Sequence, residues 1–220
     1  MKIGVFGCSF ACPYSNLGMP TFNVKGKTWM KILKEDFNYD ITTHGVSGSS
    51  IYYSYLMFKE NYQRYDKVVF LGTYPDRKYC PNLEMSHITF AHTLKESVHV
   101  KQQDVRLDAL IKTYFTYFHN IKEADDMKEL MVENIKKIGG NNTLYIDTPD
   151  TLGEVSMMEE MTRINKQNAP DYRWCHISNQ NNYIFASQIH NWLSEKTFNF
   201  DINTFIKPSI EELKSYYELT

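Results

Sequence analysis

Cysteine is scarce, charge is balanced, and no apolar run is long. The four cysteines stand at positions 8, 12, 80 and 175. They form no C-x-x-C pair and no zinc-ligand framework, so the expectation is free thiols in a reducing compartment. Twenty-four basic residues face 26 acidic ones, a formal net charge of −2. That balance points away from nucleic acid and anionic membrane surfaces as partners. Lys25-Gly26-Lys27 is too small to count as a basic patch. No run reaches the length of a membrane span. The apolar stretch within Met1–Cys8 is too short for a secretory signal. A lipoprotein leader is not expected either, because Ser9 rather than an aliphatic residue stands three before Cys12. The segment reads as a first β-strand. Asn141-Asn142-Thr143 matches a glycosylation acceptor, which carries no meaning in the cytoplasm, the expected location. Internal repeats, linkers and low-complexity tracts are lacking.

What is present fits one α/β domain. The chain of 220 residues is long enough for a full core, and 42% hydrophobic with 23% charged residues is ordinary for a globular protein. Aromatic residues make up 15%, including 16 tyrosines. A carbohydrate platform is one reading of them. The stronger one is compositional, since abundant Asn, Lys, Ile, Tyr and Phe is what an AT-rich genome produces, as in a low-GC bacterium or its phage.

The order of elements is legible from apolar patterning. Lys2–Phe6 reads as a strand. Thr28 is placed to cap a helix with Trp29, Ile32, Leu33 and Phe37 on one face. Tyr39–Thr43 reads as a second strand, followed by His44-Gly45-Val46-Ser47-Gly48 and a helix over about 50–64. The continuous run Lys67–Leu71 fits a strand buried on both faces. Residues 74–105 show no clean period and read as loop-rich with one short helix. Leu107, Leu110, Ile111, Tyr114, Phe115 and Phe118 then keep a helical period, as do Met127, Leu130, Met131, Ile135 and Ile138. Gly139-Gly140 stops the second of these helices. Thr143–Asp147 is a fourth strand. Ser178 is placed to cap a helix carrying Phe185, Ile189, Trp192 and Leu193 on one face. Pro208-Ser209 with Glu212 has capping-box spacing for a last helix. Strands alternating with helices imply a parallel sheet with helices on both faces. We expect a single domain over 1–220, with an insertion at about 74–140 and a helical tail at about 198–220.

Two segments carry chemistry. Gly7-Cys8-Ser9-Phe10 closes the first strand, and a strand ending in a small-residue turn with a serine is how α/β hydrolytic folds present a nucleophile. Cys175-His176-Ile177-Ser178 stands just before the late amphipathic helix, where a histidine can serve as base. The competing readings are an ordinary turn serine and an ordinary cap histidine. A serine at the first strand and a histidine before the last core helix, in that chain order, resembles the SGNH/GDSL hydrolases. The resemblance runs through residues 3–10, Trp29, 43–49, 68–77 and 175–193.

The resemblance implies an α/β/α three-layer sandwich of flavodoxin-like type with four or five parallel strands. Ser9 is then the nucleophile and His176 its base. Gly45, after the second strand, lends a backbone N–H to the oxyanion. After the third strand the family has Gly-x-Asn-Asp, whereas this chain has Gly72-Thr73-Tyr74-Pro75-Asp76-Arg77. Thr73, Tyr74 or Arg77 stands in for the missing Asn donor. The family also places Asp three before the His, where this chain has Arg173. Asp171, five before, takes that role if a bulge intervenes, with Asp147 and Asp150 as fallbacks. Cys8 occupies the place of the family's Asp, and a Cys8 thiolate is an alternative nucleophile. The implied reaction is hydrolysis of a small acyl ester, such as acetyl, on a small molecule or glycan, with no metal and no cofactor. Two other classes stay open. One is a binding module that kept the fold but lost catalysis, as a phage accessory protein would. The other is an acyltransferase.

Overall fold

The computed structural model describes residues 1–12, 27–46, 48–80, 87–88, 105–148, 179–195, 197–198 and 200–206. Four strands, β1 (Lys2–Phe6), β2 (Asp40–Thr43), β3 (Lys67–Gly72) and β6 (Thr143–Asp147), form one sheet in the order β2-β1-β3-β6. All three pairings are parallel. β4 (Lys78–Tyr79) and β5 (His87–Ile88) make a separate antiparallel pair. The helices are α1 (Trp29–Glu35), α2 (Ile51–Asn61), α3 (Val105–Thr113), α4 (Ile121–Gly139) and α5 (Asn179–Glu195).

The sheet sends alternate side chains to two different cores, as its period of two dictates. Ile3, Val5, Val69, Leu71 and Ile146 join Trp29, Ile32 and Leu33 of α1 with Phe185, Ile189, Trp192 and Leu193 of α5. Phe6, Val68 and Phe70 point the other way, to Ile51 and Phe58 of α2 and Met131 and Ile135 of α4. This is the expected α/β/α sandwich, with α1 and α5 as one outer layer and α2 and α4 as the other. Phe185 and Ile189 are 0% exposed, and fully burying each such side chain contributes about 1.5–3 kcal/mol. Phe185→Ala would therefore cost about 3–5 kcal/mol.

The capping residues act as their sequence positions indicate. Thr28 accepts from the Lys31 N–H and Ser50 from the Tyr53 N–H, each supplying a first-turn amide with an acceptor. α4 ends at Gly139, and Gly140 has φ +53°. α2 is shorter than the expected 50–64 helix, because Tyr62–Arg64 tighten into a 3₁₀ turn.

Three differences from the sequence reading have physical causes. Between β3 and α3 the described residues include the short β4–β5 pair, whose two-residue strands are too brief to show a period. The helical period over Leu107–Phe118 breaks at a π-turn, Tyr114–Phe118. It buries Ile111 and Phe115 but leaves Leu110 and Phe118 exposed, and on α4 Met127 and Leu130 face outward while Met131 and Ile135 are buried. His190 is half-buried. Its ring stacks on Phe37 at 4.1 Å, and Nδ1 lies 2.9 Å from the Tyr39 hydroxyl. The caps assigned to Ser178 and to the last helix at 208–217 lie outside the described residues. No helix among the described residues is long and apolar enough to cross a membrane.

Candidate active site

The site is built at the carboxyl edge of the sheet, where β1 and β3 end side by side. In an open parallel sheet ligands bind at this edge, at the point where the strand order reverses. Here that point is β1, which has β2 on one side and β3 on the other.

Gly7 makes the turn that carries Ser9. Its φ is +145°, a backbone region that side chains disfavour. A Cβ there would lie 2.6 Å from the Leu71 carbonyl oxygen and 2.9 Å from the Leu71 Cβ. β1 and β3 thus approach too closely at this point for any other residue. The chain then closes a 3₁₀ turn over Ser9–Ala11, with the Ala11 N–H donating to the Cys8 carbonyl at 2.9 Å. Ser9 is 8% exposed. Its Oγ lies 3.9 Å from Cys8 Sγ, a weak contact that leaves the hydroxyl available for a stronger partner.

Gly45 sits directly against that turn. A Cβ at Gly45 would overlap the carbonyl group of Ala11. Its glycine is required by close approach; the positive φ of this stretch belongs to Gly48, at +74°. The Gly45 N–H donates to Thr43 Oγ1 at 3.0 Å, and Thr43 Oγ1 in turn donates to the Ala11 carbonyl. Gly45 therefore lies against the Ser9–Ala11 turn with its N–H engaged by a side chain rather than by a sheet ladder. The Val46 N–H and the Ser49 hydroxyl both donate to the Gly7 carbonyl at 3.2 Å, fastening the segment after β2 to the β1 turn.

On the other flank, Thr73 follows β3. It is 2% exposed, and its hydroxyl has no partner among the described residues. Tyr74 is exposed, and the Arg77 guanidinium lies 5.7 Å from the centre of its ring. One guanidinium nitrogen of Arg77, Nη1, is buried without a partner among the described residues. The structure thus brings Ser9 and Gly45 into contact through the Ser9–Ala11 turn, and sets Thr73 at the end of the adjacent strand. His176, Asp171, Cys175 and Asp150 lie outside the described residues.

Two side chains beyond the sequence reading shape this edge. Asn182, in the first turn of α5, accepts from the Trp29 N–H at 2.8 Å, which places the start of α5 at the start of α1. Thr148 directly follows β6, is 2% exposed, and like Thr73 has a hydroxyl without a partner among the described residues. Its signal was positional, since Thr148 follows its strand as Thr73 follows β3. Asn182 carried no readable signal.

Asp147 is committed elsewhere. Its Oδ2 accepts from Lys128 Nζ of α4 at 2.7 Å and from the Tyr145 hydroxyl at 3.3 Å. That ties it to the α2/α4 layer, away from α5. Among the described residues no group of three or more His, Cys, Asp and Glu is placed to hold a metal ion. His44, next to Gly45, lies below the ordinary imidazole range because it is partly buried, and Arg64 adds to the effect. It stacks on Phe6 at 4.7 Å, and Nε2 lies 2.6 Å from the Tyr65 hydroxyl.

No protein-family model and no curated protein matches the chain. Among solved structures it is similar to the acetyl xylan esterase AlAXEase, at 11% identity over 87% of this chain and 98% of that one, with a TM-score of 0.37. A catalytic mutant of Axe2, an acetylxylan esterase from Geobacillus stearothermophilus, is 16% identical over 90% of this chain and 95% of its own, with a TM-score of 0.36. At these identities and TM-scores neither transfers a functional residue.

Proposed function

We propose that the protein is a serine ester hydrolase acting on a small acyl ester. The observation that carries this reading is the placement of Ser9. It stands on a glycine-enforced turn at the carboxyl edge of the sheet, with the Gly45 backbone pressed against the same turn. Ser9 Oγ attacks the carbonyl carbon and His176 takes the hydroxyl proton. The tetrahedral oxyanion is held by the Ser9 and Gly45 N–H groups and by a third donor from Thr73, Tyr74 or Arg77, each preorganised donor worth about 3 kcal/mol. As the intermediate collapses, His176 returns the proton to the leaving alcohol and an acyl-Ser9 remains. Water, deprotonated by His176, then releases the acid. Asp171 orients the imidazole. Chain reach supports the assignment of His176. Ile177 and Ser178 alone separate it from α5, a span of at most about 10 Å, and α5 begins where α1 begins.

The test is direct. A serine-directed fluorophosphonate should label Ser9, and the protein should hydrolyse short-chain 4-nitrophenyl esters without added metal. Absence of both would sink the reading. One observation favours a second reading, a catalytically silent binding module: the Gly45 N–H is already engaged by Thr43 Oγ1. The same labelling separates the two. An acyltransferase would label as well, and would be recognised by product partitioning when a second alcohol is supplied.

A further inference from the structure

The last ladder pair between β3 and β6 is Gly72 with Asp147. Thr73 and Thr148 are the next residues in sequence, each directly after the carboxyl end of one of these two neighbouring strands. Both are 2% exposed, and neither hydroxyl has a partner among the described residues. A buried hydroxyl left unpaired is costly to the fold, so two at the ends of neighbouring strands, at the edge where such sheets bind ligands, call for an occupant.

Distance decides what that occupant is. Neighbouring strands lie about 4.8 Å apart, so the end of β6 is about 10 Å from the end of β1. Thr148 is too far from Ser9 to share the oxyanion, and must meet a more remote part of the substrate. Each hydroxyl both donates and accepts, which matches a group that does the same. The small acyl group of the proposed reaction has no such group, so the matching part is the alcohol. Resting on the esterase reading, we propose that Thr148 is a specificity-determining residue that hydrogen-bonds a free hydroxyl on the alcohol portion of the substrate.

The experiment compares glycerol monoacetate, whose alcohol keeps free hydroxyls, with ethyl acetate, whose alcohol has none. In Thr148→Val the ratio of kcat/KM for glycerol monoacetate to that for ethyl acetate should fall about tenfold. Thr148→Ser, which keeps the hydroxyl, should retain most of the wild-type ratio. The melting temperature of Thr148→Val should be at or above that of wild type, because valine fills the same volume without an unpaired hydroxyl. An unchanged ratio, or a ratio lost equally in the serine variant, overturns the assignment while leaving the esterase reading intact. Wild-type protein that cleaves neither ester and is not labelled at Ser9 overturns both.

Discussion

The indole N–H of Trp29 donates to the Phe10 carbonyl at 2.9 Å, one residue beyond Ser9. The backbone N–H of the same tryptophan donates to Asn182 at 2.8 Å. One residue thus connects the Ser9–Ala11 turn to α5. Asn182 is 2% exposed. Its truncation to alanine leaves a buried amide without this acceptor, at a cost of about 1–3 kcal/mol. Asn182→Ala should lower the urea midpoint and, if His176 is the base, reduce kcat more than it raises KM, because it loosens the start of α5 relative to α1. Trp29→Phe should keep most of the packing and show the same kcat loss on a smaller scale. Wild-type kcat in both would detach this linkage from catalysis.

Ser9 makes little contribution to the fold through its hydroxyl, whose contact with Cys8 Sγ is 3.9 Å long. Ser9→Ala should therefore abolish turnover while keeping a melting temperature near wild type. Cys8 is 3% exposed, and Cys8→Ala should destabilise modestly yet remain active. The opposite pattern, an active Ser9→Ala and an inactive Cys8→Ala, would move the nucleophile to the thiol.

Glycine substitutions at this site test packing before chemistry. Gly45→Ala would drive a methyl into the Ala11 carbonyl, and Gly7→Ala would meet both a positive φ and the Leu71 backbone. Each should lose folded protein outright, so neither isolates the oxyanion donor. Thr43→Val does. It removes the acceptor that engages the Gly45 N–H and the donor to the Ala11 carbonyl, for a loss of about 1–2 kcal/mol in unfolding free energy. If Gly45 serves the oxyanion, kcat per folded molecule should stay level or rise. A fall in kcat would place the oxyanion donor elsewhere.

Stability should decline on mild acidification. Burial, with Arg64 adding to it, holds His44 below its ordinary value of 6.5, and burial does the same to His119. The folded state therefore binds fewer protons than the unfolded chain just below pH 6.5. The stabilisation is fully present above that pH and is lost as pH falls through the depressed folded values. Urea midpoints measured from pH 7.5 down to 5 should drop, and His44→Gln should flatten the curve. Unfolding, not activity, is the readout. A midpoint that rises on acidification would contradict the assignment.

The sheet was legible because its strands are buried on both faces. Val68–Leu71 reads as one apolar run for the same reason that it packs against both helix layers. The face of α5 was legible too, since Phe185, Ile189, Trp192 and Leu193 repeat at helical spacing and all four are buried. Periodicity located α3 and α4 but overstated what they bury. Leu110, Phe118, Met127 and Leu130 keep the period and still face outward, because only a narrow stripe of each helix meets the body. At the site, Ser9 and Gly45 could be placed from their turns. Thr148 carried only the positional signal of following its strand, and Asn182 carried none, because its contact depends on which helix ends become neighbours.

The acid of the site can be assigned by elimination at the bench. Asp147 stands at the end of β6, close enough in sequence to the edge to be a fallback partner for His176. Its carboxylate instead pairs with Lys128, and the two side chains are only 22% and 14% exposed. Breaking such a pair leaves a largely buried charge without its partner, which outweighs what an exposed ion pair contributes. Asp147→Asn and Lys128→Met should each destabilise the protein by about 1–3 kcal/mol, with kcat per folded molecule and its pH profile close to wild type. Asp171→Asn should do the reverse. If Asp171 holds the His176 imidazole in the correct tautomer, its loss should lower kcat by about 10²–10⁴ at nearly unchanged melting temperature. Paired measurements of unfolding free energy and of kcat against pH on the three variants decide it. A kcat collapse in Asp147→Asn with a silent Asp171→Asn would transfer the role to Asp147, and silence in both would leave a serine–histidine dyad.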